Sequence, residues 1–325
     1  MSRFTDRILV TGVDTTDSSP VVMTSEDLVT WYEVDPWPGA GASNASVAGN
    51  AYFVATAAAS TANNYAYSYN GDDWTLASST PMLQHVQWNG SAFFAAGNNA
   101  ATVYTASAAD GTWSSAGTTG TSGTQRGLAV SGDIIVGCLT SVPNPPMFYS
   151  TNAGSSWSTY TPASGNTTTV YDVTVGRGRF VAVRARNDAS SSDNVLTSTD
   201  GSSWSIVDVG TNDLFFYRVA YGGGRFVAVG NTNVGLNVRT MSSTDGTSWT
   251  VHTPTGLGSL SGAFSSAQLA YWAGKFVMVN PNYGSVFTSS DGQSWSEQSF
   301  ADRDWNSVAA GTARPPNYGW KVGTL

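Results

Sequence analysis

Ser243-Thr244-Asp245-Gly246-Thr247-Ser248-Trp249 decides how this chain is read, because the phrase recurs. Close copies are Ser198-Thr199-Asp200-Gly201-Ser202-Ser203-Trp204 and Ser289-Ser290-Asp291-Gly292-Gln293-Ser294-Trp295. A form one residue longer runs Ser150-Thr151-Asn152-Ala153-Gly154-Ser155-Ser156-Trp157. Weaker copies span Ser25 to Trp31 with Asp27, Ser68 to Trp74 with Asn70-Gly71, and Ser107 to Trp113 with Asp110-Gly111. From Trp31 to Trp295 the six steps cover 264 residues, a mean of 44. A period of that size means one supersecondary unit per repeat. Seven such units account for nearly all 325 residues, so the chain reads as a single domain spanning 1–325.

The unit ending at Trp249 is the clearest. Phe216 to Tyr221 alternates as a strand, Gly222-Gly223-Gly224 turns, and Arg225 to Gly230 is a second strand. A loop from Asn231 to Leu236 leads to Asn237 to Ser242, the Asp245-Gly246 turn follows, and Trp249 to His252 is the fourth strand. Runs of β-branched and aromatic residues between Gly, Asn and Asp clusters are strand and hairpin signals. No helical periodicity of useful length occurs. Four short antiparallel strands, labelled A to D, repeated at this spacing predict an all-β, seven-bladed β-propeller. A linear solenoid is the competing reading, and it would need polar capping repeats.

The ends predict ring closure. The chain opens on a B-type strand, Arg7 to Val10, with no A strand before it. Past the seventh phrase, Asn306 to Gly311 matches an A strand, so it is expected to complete the first blade. Tyr318 to Gly323 is left over, either competing with the N-terminal strand or adding an outer one.

The phrase resembles the Asp box, the repeat of sialidases and related propellers, with Asn152 replacing Asp in the longest copy. That resemblance implies a turn between strands C and D. Asp27, Asn152, Asp200, Asp245 and Asp291 are therefore expected to be structural: a short polar side chain accepts turn amides, Gly takes positive φ, and Trp fills the space between blades. One carboxylate per box argues against calcium loops, which gather several oxygen ligands.

Catalytic machinery is not legible. Sialidases, by resemblance, use three arginines, a Tyr–Glu nucleophile pair and an acid Asp. Here Asp6-Arg7-Ile8-Leu9 lacks the family's proline. Glu26, Glu33 and Glu297 all fall on the C–D turn or the outer strand. Two converging carboxyls, or a Tyr/Glu couple, cannot be assembled. His85 and His252 lie in different blades and only Cys138 could join them, so no metal or cofactor is expected. Cys138 reads as a small buried hydrophobe.

Charged residues are 11% of the chain and the net charge is −8, which disfavours nucleic acid. No stretch approaches the roughly 18 apolar residues of a membrane span. The N-terminus carries no apolar signal core. With a Ser/Thr/Asn-rich surface, the chain looks like phage virion proteins that use such repeats. The expected localisation is the virion, made in a host cytoplasm, and the expected partners are another virion protein or a host-surface glycan or protein. A sialidase-like glycoside hydrolase and a propeller of the kind used as photosystem assembly factors are the alternatives.

Topology puts the A–B and C–D turns on one face and the B–C and D–A loops on the other. The second set is irregular: Asp35 to Gly39 with Trp37, Ser141 to Pro146, Asn187 to Asn194, and Thr255 to Ser266. Diverse loops on a rigid frame suit binding. The starts of the A strands open onto the same face around a channel. They carry Gln84, His85, Arg126, Tyr171, Asp172, Tyr217, Arg218, Gln268, Trp305 and Asn306. Tyr217 and Trp305 are the expected aromatic contacts; an Asp172–Arg218 ion pair lining a water-filled channel is the structural alternative.

Overall fold

The computed structural model describes residues 5–34, 43–49, 52–57, 65–77, 83–97, 101–120, 123–140, 147–162, 168–186, 193–258, 260, 264–281 and 283–313. Their strands build seven four-stranded antiparallel blades in a ring. The sixth blade is Leu214–Gly222, Arg225–Thr232, Val238–Ser243 and Thr250–His252, the order read from its sequence. It is joined to the fifth (Thr168–Gly176, Arg179–Arg186, Val195–Ser198, Ser205–Val207) by one further strand pair, Ala185 with Phe215. Among the described residues no helix is long and apolar enough to cross a membrane.

Each blade grades from a buried centre to an exposed rim. In Arg225–Thr232 the run Phe226 to Asn231 is buried, because a B strand is pressed between both neighbouring blades. Outer strands such as Ser205–Val207 are short and mostly exposed. The core is correspondingly divided: seven hydrophobic clusters occupy the seven seams between adjacent blades. The seam, rather than the blade, is therefore the unit that buries apolar surface.

The tryptophan phrase builds both the turn and the seam. Ser243 Oγ accepts the Asp245 and Gly246 amides at 3.2 and 2.8 Å and donates to Asp245 Oδ1 at 3.0 Å. Asp245 Oδ1 accepts the Thr247 and Ser248 amides, both at 2.7 Å. Gly246 sits at φ +75°, and a Cβ there would lie 2.8 Å from Arg179 Cδ and 2.9 Å from Val181 Cγ2 of the preceding blade. The same side-chain geometry recurs at Asp27, Asp200 and Asp291, and with an amide oxygen at Asn70 and Asn152. Backbone amides, Ser203 first, hold the Asp200 carboxyl down to about 2. The indoles pack against the preceding blade, as Trp295 does on Val227 and Val229.

The third copy is different. Its aspartate stands one residue later, and Asp110 accepts the Tyr69 hydroxyl at 2.6 Å while Gly111 N bonds Ala108 O at 3.1 Å.

The ring closes as the ends predict. Arg303–Ala313 pairs antiparallel with Thr5–Asp14, from Thr5 opposite Ala313 to Asp14 opposite Arg303. Pro20–Ser25 and Tyr32–Val34 complete that first blade. The leftover 318–323 segment lies outside the described residues.

Candidate functional site

An inner strand is unpaired on its channel side, so any residue that departs from strand alternation there acts on the lumen. Six of the seven inner strands carry one extra residue relative to their partner: Asn44, His85, Arg126, Tyr171, Tyr217 and Asn306. They occupy one level of the ring, near the start of each A strand and so towards the loop face. In the seventh blade Gln268–Trp272 pairs without a shift, and the 3-10 turn Phe264–Ser266 precedes it. A bulge gives up ladder pairing and re-aims a side chain, a device frequent beside functional sites. At His85 it also forces a positive φ of 44°, a region costly for non-glycine residues.

Below this ring lies a cavity of about 350 Å³. His85, Arg126, Asp172, Gln268 and Ser307 supply its polar wall; Leu128, Val173, Val219 and Ala309 are among its apolar lining. Asp172 spans three blades. Its Oδ1 accepts its neighbour Val173 N at 2.9 Å, and its Oδ2 accepts Val219 N of the sixth blade at 3.0 Å. Room comes from Gly127 of the fourth blade, where a Cβ would fall 2.5 Å from Asp172 Oδ1. Burial pushes the Asp172 carboxyl up to about 6, against the opposing pull of Arg218 and the two amides. Arg218 is buried and donates to Tyr217 O at 2.7 Å. Burial, then the charges of Arg218 and Arg126, press His85 down to about 3, while it donates to the Gln125 carbonyl. At neutral pH the site holds two guanidiniums, one carboxylate and a neutral imidazole.

The remaining expected residues separate. Tyr171 and Tyr217 stack edge to face, with ring centroids 4.8 Å apart and planes at 82°. Tyr217 is buried in the seam between the sixth and seventh blades, so Tyr171 is the more accessible ring. Asn306 keeps its Oδ1 buried without a partner among the described residues. Trp305 is not at the channel, contrary to the sequence reading: it is fully buried in the seam between the seventh and first blades, edge to face with Phe300 at 5.7 Å. The bulge at Asn306 explains the change, because one extra residue inverts which side chain faces the lumen. Gln84 lies in Leu83–Trp88, one place before the bulge. Trp37 lies outside the described residues, as do 35–39, 141–146 and 187–192.

Two features escaped the sequence. Gln125 is fully buried beside Arg126, with neither amide atom partnered among the described residues. On the loop face, Val234 and Leu236 are 71% and 43% exposed. Their turn is held by Thr232 N to Asn237 O at 2.9 Å, Thr232 Oγ1 to Val234 O at 2.6 Å, and Asn233 N to Asp213 O at 3.0 Å. Apolar residues in a polar loop were the available signal.

Among the described residues no three His, Cys, Asp or Glu side chains cluster at metal-binding distance, and Asp172 is the sole carboxylate lining the cavity. Cys138 is buried, its Sγ 3.7 Å from Gly127 O, and burial raises its thiol well above the usual range.

No family model matches the chain, and no curated protein matches it in sequence. Solved structures do resemble it. YCF48 bound to D1 peptide aligns at TM-score 0.53 and 13% identity, over 79% of this chain and 81% of that one. The apo structure of AztD from Citrobacter koseri aligns at TM-score 0.57 and 11% identity, over 97% and 100%. A crystal structure of Citrobacter koseri AztD gives 0.58 and 11%, over 96% and 99%. At such identities the likeness is one of fold.

Proposed function

We propose that this chain is a non-catalytic interaction propeller whose working surface is the loop-side mouth of the channel. The observation that carries this reading is the ring of bulges at one level, which brings His85, Arg126, Tyr171 and Asn306 towards a single opening. Ring packing alone requires no such repeated loss of pairing. The pinned apolar tip at Val234 and Leu236 supports the same face. A partner segment is favoured over a free glycan, because one structure of this fold holds a bound peptide. Among the described residues one carboxyl, Asp172, lines the cavity, whereas glycoside cleavage uses a converging pair.

The finer reading follows from the Asp-box resemblance and the low-charge, Ser/Thr/Asn-rich composition: a virion component, docking to another virion protein or to a host-surface protein or glycan. Capsid or tail genes flanking this one would support it, and a metabolic operon would refute it. The surface itself is tested by peptide and glycan arrays probed with the wild-type chain, with Val234→Ser/Leu236→Ser, and with Tyr32→Ser on the outer strand of the first blade. Binding lost only in the first variant is expected. Binding lost only in the second, or release of sugar from fluorogenic glycosides, would overturn the proposal.

A further inference from the structure

Among the described residues, the guanidinium of Arg126 has no anion bonded to it in the channel wall. It stands on a bulge in the cavity wall. Its Nε is buried, and among the described residues no acceptor bonds it. The one carboxylate in the wall is committed elsewhere: Asp172 accepts Val173 N and Val219 N and is attracted by Arg218. Arg218 offers no relief: burial, and then the nearby charge of Arg126, disfavour its own cation. A partly buried guanidinium whose Nε has no acceptor carries a desolvation cost that an incoming anion would offset.

We propose that Arg126 anchors a carboxylate-binding subsite at the loop-side mouth of the channel, filled by a carboxylate of the partner segment; this rests on the interaction reading above. Charge favours a monoanion. Two guanidiniums against one carboxylate leave a single positive charge over, which a carboxylate balances and a phosphate dianion exceeds. Geometry agrees, because the guanidinium fork matches a carboxylate in two parallel bonds. Size agrees as well. A cavity of about 350 Å³ lies at the small end of ligand sites, so it admits one acidic side chain, a chain terminus or a small acid, with Leu128 and Val130 beneath for an aliphatic stem.

The test uses the full chain at constant ionic strength. Thermal shift and calorimetric titration are run with propionate, propionamide, inorganic phosphate, and a capped tripeptide as its free acid and its amide. The expected result is a saturable upward melting shift with propionate and the tripeptide acid, and none with the two amides. Arg126→Gln and Arg126→Met should weaken binding at least tenfold. Without ligand both variants should melt at or above the wild-type temperature, because they remove a partly buried cation whose Nε has no acceptor among the described residues. A structural arginine would lower it. Propionate binding with exclusion of the tripeptide acid supports the subsite and refutes the partner reading. Phosphate preferred over carboxylate, unchanged binding in both variants, or both variants destabilised with no carboxylate response would overturn the subsite.

Discussion

Replacing Trp305 by alanine should damage the fold and not a binding surface. The indole is wholly buried where the first and seventh blades meet, among Ile8, Val10, Val279 and Val286 and against Phe300. Truncating a core tryptophan costs about 3–5 kcal/mol in lost transfer energy and cavity formation. Its Nε1 has no acceptor among the described residues. The same substitution therefore removes an unpaired donor, which places the loss near the lower end, about 3 kcal/mol. At about 2.1 cal/mol/K of unfolding entropy per residue, a chain of 325 residues shifts by about 1.5 °C per kcal/mol, so melting should fall by roughly 4–5 °C. Differential scanning calorimetry, with urea unfolding at 25 °C, measures both quantities. A Trp305→Ala protein that melts with the wild type while losing a ligand would refute the placement and restore Trp305 to the channel.

The other expectations are smaller or more local. Asp245→Ala should cost about 1 kcal/mol in urea unfolding, since water replaces much of what an exposed capping oxygen supplies, whereas Asp245→Asn should be near neutral because Asn70 and Asn152 already hold equivalent turns. Asp172→Asn should destabilise by about 3 kcal/mol by removing the carboxylate that attracts the buried Arg218 charge, and adding Arg218→Met should recover most of that loss in a double-mutant cycle. His85 has a folded pKa of about 3, below its ordinary value, so it favours unfolding as pH falls from about 6.5 towards 3. The stability advantage of His85→Gln over wild type should therefore widen between pH 7 and pH 4.5. Asp172 works in the opposite sense, its stabilisation fading as pH rises through about 6. Its protonation also removes a competing negative charge, so propionate, which is still largely ionised at pH 6, should bind more tightly at pH 6 than at pH 8. In that window His85 stays neutral and Cys138 stays a thiol.

What could be read from the chain was what is local. Ser243, Asp245, Gly246 and Trp249 lie within seven residues, and their turn chemistry hardly depends on the rest of the molecule. Ring closure was legible because a strand missing at one end reappears at the other. The channel was legible only in part. His85, Arg126 and Asp172 stood out as polar residues at the start of otherwise apolar strands, and all three line the cavity. Trp305 was misplaced because a bulge shifts alternation by one residue and leaves no mark of its own in composition. Asp110 shows a similar limit: a one-residue offset from Ser107 turned a box aspartate into a partner for a tyrosine of the neighbouring blade. That Arg126 Nε finds no acceptor among the described residues is a property of several blades together.

The antiparallel pairing of Thr5–Asp14 with Arg303–Ala313 also determines how this protein can be tethered. Thr5 and Ala313 lie opposite each other at the end of the first blade nearest the tryptophan turns. A tether attached at Thr5 or at Ala313 therefore starts from that face, with the bulge ring pointing away from it. Tension between the two attachment points would load the pair nearest the pull first and peel the two strands apart like a zipper. Tension applied through one end alone would spare that seam. An immobilised chain should thus keep its channel mouth available whichever end is anchored, and give way at low force only when both are.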